Sequence, residues 1–164
     1  ILIGLVGSEM CIRDSTYSLR DGTLKKLVEL PTKVRVHGVL CQMFNRIWIA
    51  TEGSGLYMYD LKTKELKNYR YEDGTSGLNS NYVRSLALDQ ENRLWVGTYN
   101  GLNIYKEGQD CFFSIESSTS QVGALSQNSV RCIFRDSQGG MWLGTYWGGL
   151  NYYCLLYTSD AADD

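Results

Sequence analysis

Apolar residues along this chain gather in short runs punctuated by glycine, asparagine and serine, and the runs recur. Ile47-Trp48-Ile49-Ala50-Thr51, Leu94-Trp95-Val96-Gly97-Thr98 and Met141-Trp142-Leu143-Gly144-Thr145 share one plan, and their tryptophans stand 47 residues apart in both intervals. A valine precedes each tryptophan by 12 positions (Val36, Val83, Val130). A Gly-Leu pair follows (Gly55-Leu56, Gly101-Leu102, Gly149-Leu150), and a tyrosine closes each unit (Tyr59, Tyr105, Tyr153). Runs this short, with no helical 3.6-residue periodicity, predict strands. A repeat with a period in the forties, made of such strands and glycine turns, is the signature of β-propeller blades rather than helical solenoids.

The clearest unit predicts four antiparallel strands: Val83 to Leu88, Arg93 to Thr98, Gly101 to Tyr105 and Cys111 to Ile115. Asn45, Asn92 and Gly139 share one register between the first two strands, and these residue types tolerate the left-handed conformation of a short hairpin loop. The fold class is therefore all-β, a partial β-propeller of about two full four-stranded blades with parts of two others. Residues 16–30 read as the end of one blade, 34–71 and 83–115 as two blades, and 130–153 as a blade without its outer strand. Residues 1–15 and 154–164 break the repeat and look like translated sequencing-adapter read-through. The apolar stretch Ile1 to Gly7 is too short for a membrane span and has no basic flank of the signal-peptide kind.

Composition narrows the chemistry. A formal net charge of -2 argues against direct nucleic-acid contact. A single proline and 17 glycines suit many strands joined by tight turns. Cys41, Cys111 and Cys132 occupy non-equivalent places in the repeat with no C-x-x-C spacing, so they read as small buried thiols rather than a metal site or a disulfide framework. No cofactor or metal is expected. His37 has no serine or cysteine partner at a recognisable spacing, and the adjacent acids Glu72 and Asp73 read as a solvated turn. An enzyme reading survives only because fold does not dictate function. Trp48, Trp95 and Trp142 are read as blade core, with cofactor stacking as the alternative.

Topology points to one end of the blades. The lead-in to strand one and the loop from strand two to strand three fall together, placing Glu52, Ser54, Asn81, Tyr99, Asn100, Asn128, Tyr146 and Trp147 there. Aromatic faces beside amides and hydroxyls suit a sugar; ordinary turn chemistry is the alternative. The residue after each leading valine is a potential cation: His37, Arg84 and Arg131. These are candidates to contact an anionic or polyhydroxylated ligand, or else to tie down neighbouring loops.

The run VRCIFRDSQGGMWLGTYWGGLNYY, from Val130 to Tyr153, is similar to the two-component regulator propeller repeat. So is VRSLALDQENRLWVGTYNGLNIY, from Val83 to Tyr105, and so are the lead-ins Gly77-Leu78-Asn79-Ser80-Asn81 and Ala124-Leu125-Ser126-Gln127-Asn128. The likeness covers about Tyr17 to Tyr153. The first unit departs from it, with Ala50 in place of the glycine and a proline where Leu-x-x-Asn is usual. The resemblance implies the periplasmic sensor of a Bacteroidetes-type hybrid histidine kinase that detects carbohydrate and signals to a downstream kinase and transcription regulator. Its partners would be an oligosaccharide, the remaining blades and a second copy of the parent sensor. A protein-interaction scaffold is the alternative, and a propeller hydrolase or lyase a more distant one.

Overall fold

In a computed structural model of the chain, the described residues are 15–154, apart from 21, 31–32, 44, 72–76 and 121. The readings made for residues 1–14 and 155–164, and for Glu72 and Asp73, lie outside the described residues. The chain divides into two compact parts after Arg35. The first holds a hairpin of β1 (Ser15–Tyr17) and β2 (Leu24–Lys26), with Ser15 opposite Lys26.

The second part contains three antiparallel sheets. The first blade is β3 (Arg35–Gln42), β4 (Arg46–Glu52), β5 (Leu56–Asp60) and β6 (Leu66–Tyr69). The second is β7 (Val83–Leu88), β8 (Leu94–Thr98), β9 (Gly101–Lys106) and β10 (Cys111–Ile115). The third is β11 (Val130–Arg135), β12 (Met141–Thr145) and β13 (Leu150–Tyr153). Among the described residues the sole helical element is a 3-10 turn, Glu107–Gln109. In each sheet the strands lie in chain order, and β7 packs beside both β4 and β11. This is a partial β-propeller.

The repeat pattern becomes packing between blades. Trp48 sits in a core with Leu56, Leu78, Val83, Leu94 and Tyr105, which joins the first two blades. Trp95 does the same between the second and third, with Leu102, Leu125, Val130, Met141 and Leu143. These two tryptophans each meet the closing tyrosine of the next blade: ring centroids are 5.1 Å apart for Trp48 and Tyr105 and 5.9 Å apart for Trp95 and Tyr153. Trp142, on the face of the third blade that no other described sheet covers, is only half-buried and stacks on Tyr152 of its own sheet.

Each indole N–H also finds an acceptor six residues upstream. Trp48 donates to Gln42 Oε1 at 2.8 Å, Trp95 to Asp89 Oδ2 at 2.9 Å and Trp142 to Asp136 Oδ2 at 2.8 Å. The two aspartates use their second oxygen to accept turn amides, Arg93 N–H in one case and Gln138 and Gly140 N–H in the other. Where that pinning operates, the expected left-handed positions appear at Asn92 (φ 61°) and Gly139 (φ 87°). Asn45 does not adopt one; Met43 does instead, at φ 50°. Gln42 explains the difference: its oxygen takes the indole and its Nε2 donates to Asn92 O at 2.7 Å, leaving no carboxylate to hold the turn amides.

The cysteine expectation needs correction. Cys41, Cys111 and Cys132 are free and on strands, but Cys41 and Cys132 are exposed and Cys111 is half-buried. Cys41 and Cys132 lie on β3 and β11, the first strands of their sheets, and on β11 only Val130 is fully buried, its outer face carrying no neighbouring sheet among the described residues.

Candidate functional site

The threonine that ends each second strand builds the turn after it. Thr51, Thr98 and Thr145 donate their hydroxyls to the carbonyls of Gly55, Gly101 and Gly149, at 2.5, 3.0 and 3.0 Å. Glycine is required at the far side of this turn: Gly101 has φ 137°, and a Cβ there would stand 2.7 Å from Ile115 O. The residue after each threonine is thereby presented at the sheet end. Backbone bonds fix it further, from Tyr99 N–H to Tyr82 O at 3.0 Å and from Tyr146 N–H to Ser129 O at 2.9 Å.

Opposite these aromatics the inner ladder carries an extra residue. Val83 pairs with Thr98 and Ser85 with Gly97; Val130 pairs with Thr145 and Cys132 with Gly144, so the register slips at Arg84 and at Arg131. Such a β-bulge re-aims the side chain of the unpaired residue. Here it lays each guanidinium over a tyrosine ring, with Arg84 Cζ 4.5 Å from the Tyr99 centroid and Arg131 Cζ 5.3 Å from that of Tyr146. Arg84 also donates to Ser129 Oγ at 3.2 Å.

The sequence candidates thus assemble as pairs. Arg84 joins Tyr99, and Arg131 joins Tyr146, whose ring stands edge-on to Trp147 with centroids 4.8 Å apart. In the first blade the same positions hold His37 and Glu52, with Nε2 and Oε2 3.8 Å apart. Trp147 is 81% exposed, and its backbone N–H donates to Gln127 Oε1 at 2.8 Å. Asn100 is turned toward the lead-in: its carbonyl accepts Asn79 Nδ2 at 2.7 Å and its N–H donates to Thr98 Oγ1 at 3.2 Å. Asn81 and Asn128 accept the backbone N–H of Tyr71 and Ser117 through their side chains, at 2.7 and 2.5 Å.

Two contributors went unread in the sequence. Tyr82 is exposed and lies edge-on to Tyr99, with centroids 6.2 Å apart, and Ser129 anchors Arg84. Both directly precede a leading valine, and that shared register is the signal by which they were findable.

A third group holds the lead-in in place. Asn103, fully buried, accepts from Asn79 N–H and donates to Asn79 Oδ1; Asn151 accepts from Ser126 N–H and donates to Ser126 Oγ. Tyr57 occupies the corresponding place in the first blade, the unit whose lead-in carries the proline.

At the other end of the sheets, between the β3–β4 and β7–β8 turns, a cavity of about 320 Å³ is lined by Gln42, Met43, Asn92, Arg93, Tyr105 and Phe113, among others. In its wall Arg93 pairs with Asp89 and Glu91, and Glu107 with Arg46. Among the described residues no cluster of His, Cys, Asp or Glu has metal-binding geometry, and no helix is long and apolar enough to cross a membrane.

Residues 77–100 and 124–147 match the family model of the two-component regulator propeller. The chain is similar to the extracellular domain assigned to the hybrid two component system BT3049 of B. thetaiotaomicron, at 30% identity and a TM-score of 0.65, over 89% of this chain and 19% of that one. The corresponding domain of BT4673 from the same organism is 26% identical with a TM-score of 0.65, over 84% of this chain and 18% of that one. Histidine kinase P4 of Formosa agariphila is 41% identical over 59 residues, 35% of this chain and 4% of that protein. The chain therefore spans less than a fifth of the length of each of these relatives, and two of its three blades each contain a segment that matches the two-component regulator propeller model.

Proposed function

We propose that this chain is part of the extracytoplasmic ligand-sensing propeller of a hybrid two-component system, that carbohydrate binds at the blade ends around Tyr99, Tyr146 and Trp147, and that occupancy is signalled to a downstream histidine kinase and transcription regulator. The observation that carries the binding reading is the duplicated exposed aromatic with a cation stacked on it, at the same position of two successive blades. Sugars present apolar ring patches that stack on such rings and hydroxyls that accept from the neighbouring donors. The extracytoplasmic placement and the link to a kinase rest on likeness to extracellular sensor domains and to a histidine kinase.

The test is titration with oligosaccharides released from plant and algal polysaccharides, followed by tryptophan fluorescence and calorimetry. Trp147→Ala and Tyr146→Ala are expected to weaken binding about tenfold, the scale of one lost stacking contact, without lowering the melting temperature. If no oligosaccharide binds, the carbohydrate reading fails; if binding persists in both variants, the site is elsewhere.

A further inference from the structure

The two bulged arginines differ from other arginines of the second blade and its neighbours in what meets them. Arg46 pairs with Glu107, and Arg93 with Asp89 and Glu91. Arg135 donates to the Asp89 carbonyl at 2.8 Å. Arg84 has a tyrosine face and one serine hydroxyl, and Arg131 has a tyrosine face; among the described residues neither faces a carboxylate. Both stand at bulges, the device that turns a strand side chain out of its normal alternation.

A ring stacked on a guanidinium occupies one face of the plane and leaves the N–H edge able to donate. That edge matches two oxygens of a carboxylate or sulfate, and the stacking fixes its direction before any ligand arrives. The cost of ordering a long flexible side chain is thus met in the free protein, so little of it falls on binding.

We propose that Arg84 and Arg131 select an acidic carbohydrate, each guanidinium taking one carboxylate or sulfate of a sugar whose rings lie against Tyr99, Tyr146 and Trp147. This rests on the carbohydrate reading of the same site and adds the charge of the ligand to it. Because the two pairs occupy equivalent places on adjacent inner strands β7 and β11, a ligand bearing two acidic groups engages both. The first blade contributes no third fork: His37 stands beside Glu52, and that carboxylate disfavours an acidic group there.

The experiment compares matched neutral and acidic sugars against the full chain: lactose with lactose sulfate, cellobiose with cellobiouronic acid, and longer members of each pair, with inorganic sulfate alone as a further arm. The acidic member of at least one pair is expected to bind about tenfold more tightly at low salt, with the preference shrinking at high ionic strength. Arg84→Gln with Arg131→Gln should abolish the preference, bringing the acidic member of each pair down to the affinity of its neutral counterpart in the same variant. Arg84→Lys with Arg131→Lys keeps the charge and loses the fork, and should retain only part of it, which gives a readout if the glutamine variant folds poorly. Equal binding of neutral and acidic members overturns this inference and leaves the carbohydrate reading standing. Binding of inorganic sulfate as tightly as of any sulfated sugar overturns it too, since the sugar then adds nothing. Absence of binding by every sugar overturns both.

Discussion

Gly144 and Cys132 are opposite one another on β12 and β11, and a Cβ added to Gly144 would stand 2.6 Å from the Cys132 sulfur. In the second blade Gly97 and Ser85 repeat the arrangement, at 2.3 Å from the serine hydroxyl. In the first blade Gly38 stands where Ser85 and Cys132 do and Ala50 where the glycines do, and a Cβ added to Gly38 would meet no atom within 4 Å, so the crowding belongs to the second and third blades. Gly144→Ala alone is therefore expected to destabilise by about 2 kcal/mol, the usual scale of overpacking. Cys132→Gly added to it should restore about half, visible as a favourable coupling in urea unfolding of the four chains of a double-mutant cycle. Additive losses would show that the crowding lies elsewhere.

At the scale of the strand and its turn, the β7–β8 hairpin gathers contacts from both sides. Gln42 of the first blade donates to Asn92 O, and Arg135 of the third to Asp89 O. Its left-handed position is Asn92, whose side-chain Nδ2 is buried without a partner; Gly139 fills the same place in the β11–β12 turn. Asn92→Gly keeps the accepting carbonyl and removes the orphaned amide. Relief of a buried donor is worth about 1–3 kcal/mol against about 0.5–1 for the extra freedom of glycine in the unfolded chain. The variant should therefore melt higher, by about 1 kcal/mol of stability; a lower melting temperature would mean the amide has a role. Strand positions and the tryptophan, Gly-Thr and Gly-Leu columns were legible because large rings and special backbone geometry leave marks in a single sequence. Asp89 and Asp136 share the 47-residue spacing, yet an aspartate before a turn resembles ordinary turn chemistry until the indole is placed against it. Arg84 and Tyr99 were each legible. Their stacking was not, because a bulge is a property of the register between two strands.

Over the whole molecule, stability comes from junctions between blades, and the first carries a titratable bolt. Asp110 accepts hydrogen bonds from Tyr69 at 2.7 Å and Tyr105 at 2.8 Å, and pairs with Lys67. Burial raises its carboxyl, but the bonds from Lys67, Tyr69 and Tyr105 outweigh that and bring it from 3.8 down to about 2. A carboxyl lowered by folding stabilises above its unfolded value and loses that contribution as pH falls through the folded one. Between about pH 4 and pH 2 the chain should lose about 1 kcal/mol on this account, after allowance for solvent screening of a half-exposed group. Asp110→Asn should flatten that segment of the stability profile. Among the described residues the third blade has no such junction on its outer face. Leu56 and Leu102 are fully buried, whereas Leu150 in the same register is 63% exposed, and Phe134 of the same sheet is 65% exposed. Two similar apolar faces are covered by a neighbouring blade, so this one, bare among the described residues, presents a surface with known complementarity, and among those residues β13 has an unpaired edge next to it. The chain is expected to self-associate through this face at concentrations of tens of micromolar and above. Leu150→Lys with Phe134→Lys should shift it toward monomer in sedimentation velocity without lowering the melting temperature, because neither side chain belongs to a covered core. A wild-type chain that stays monomeric and melts cooperatively at high concentration would refute the expectation.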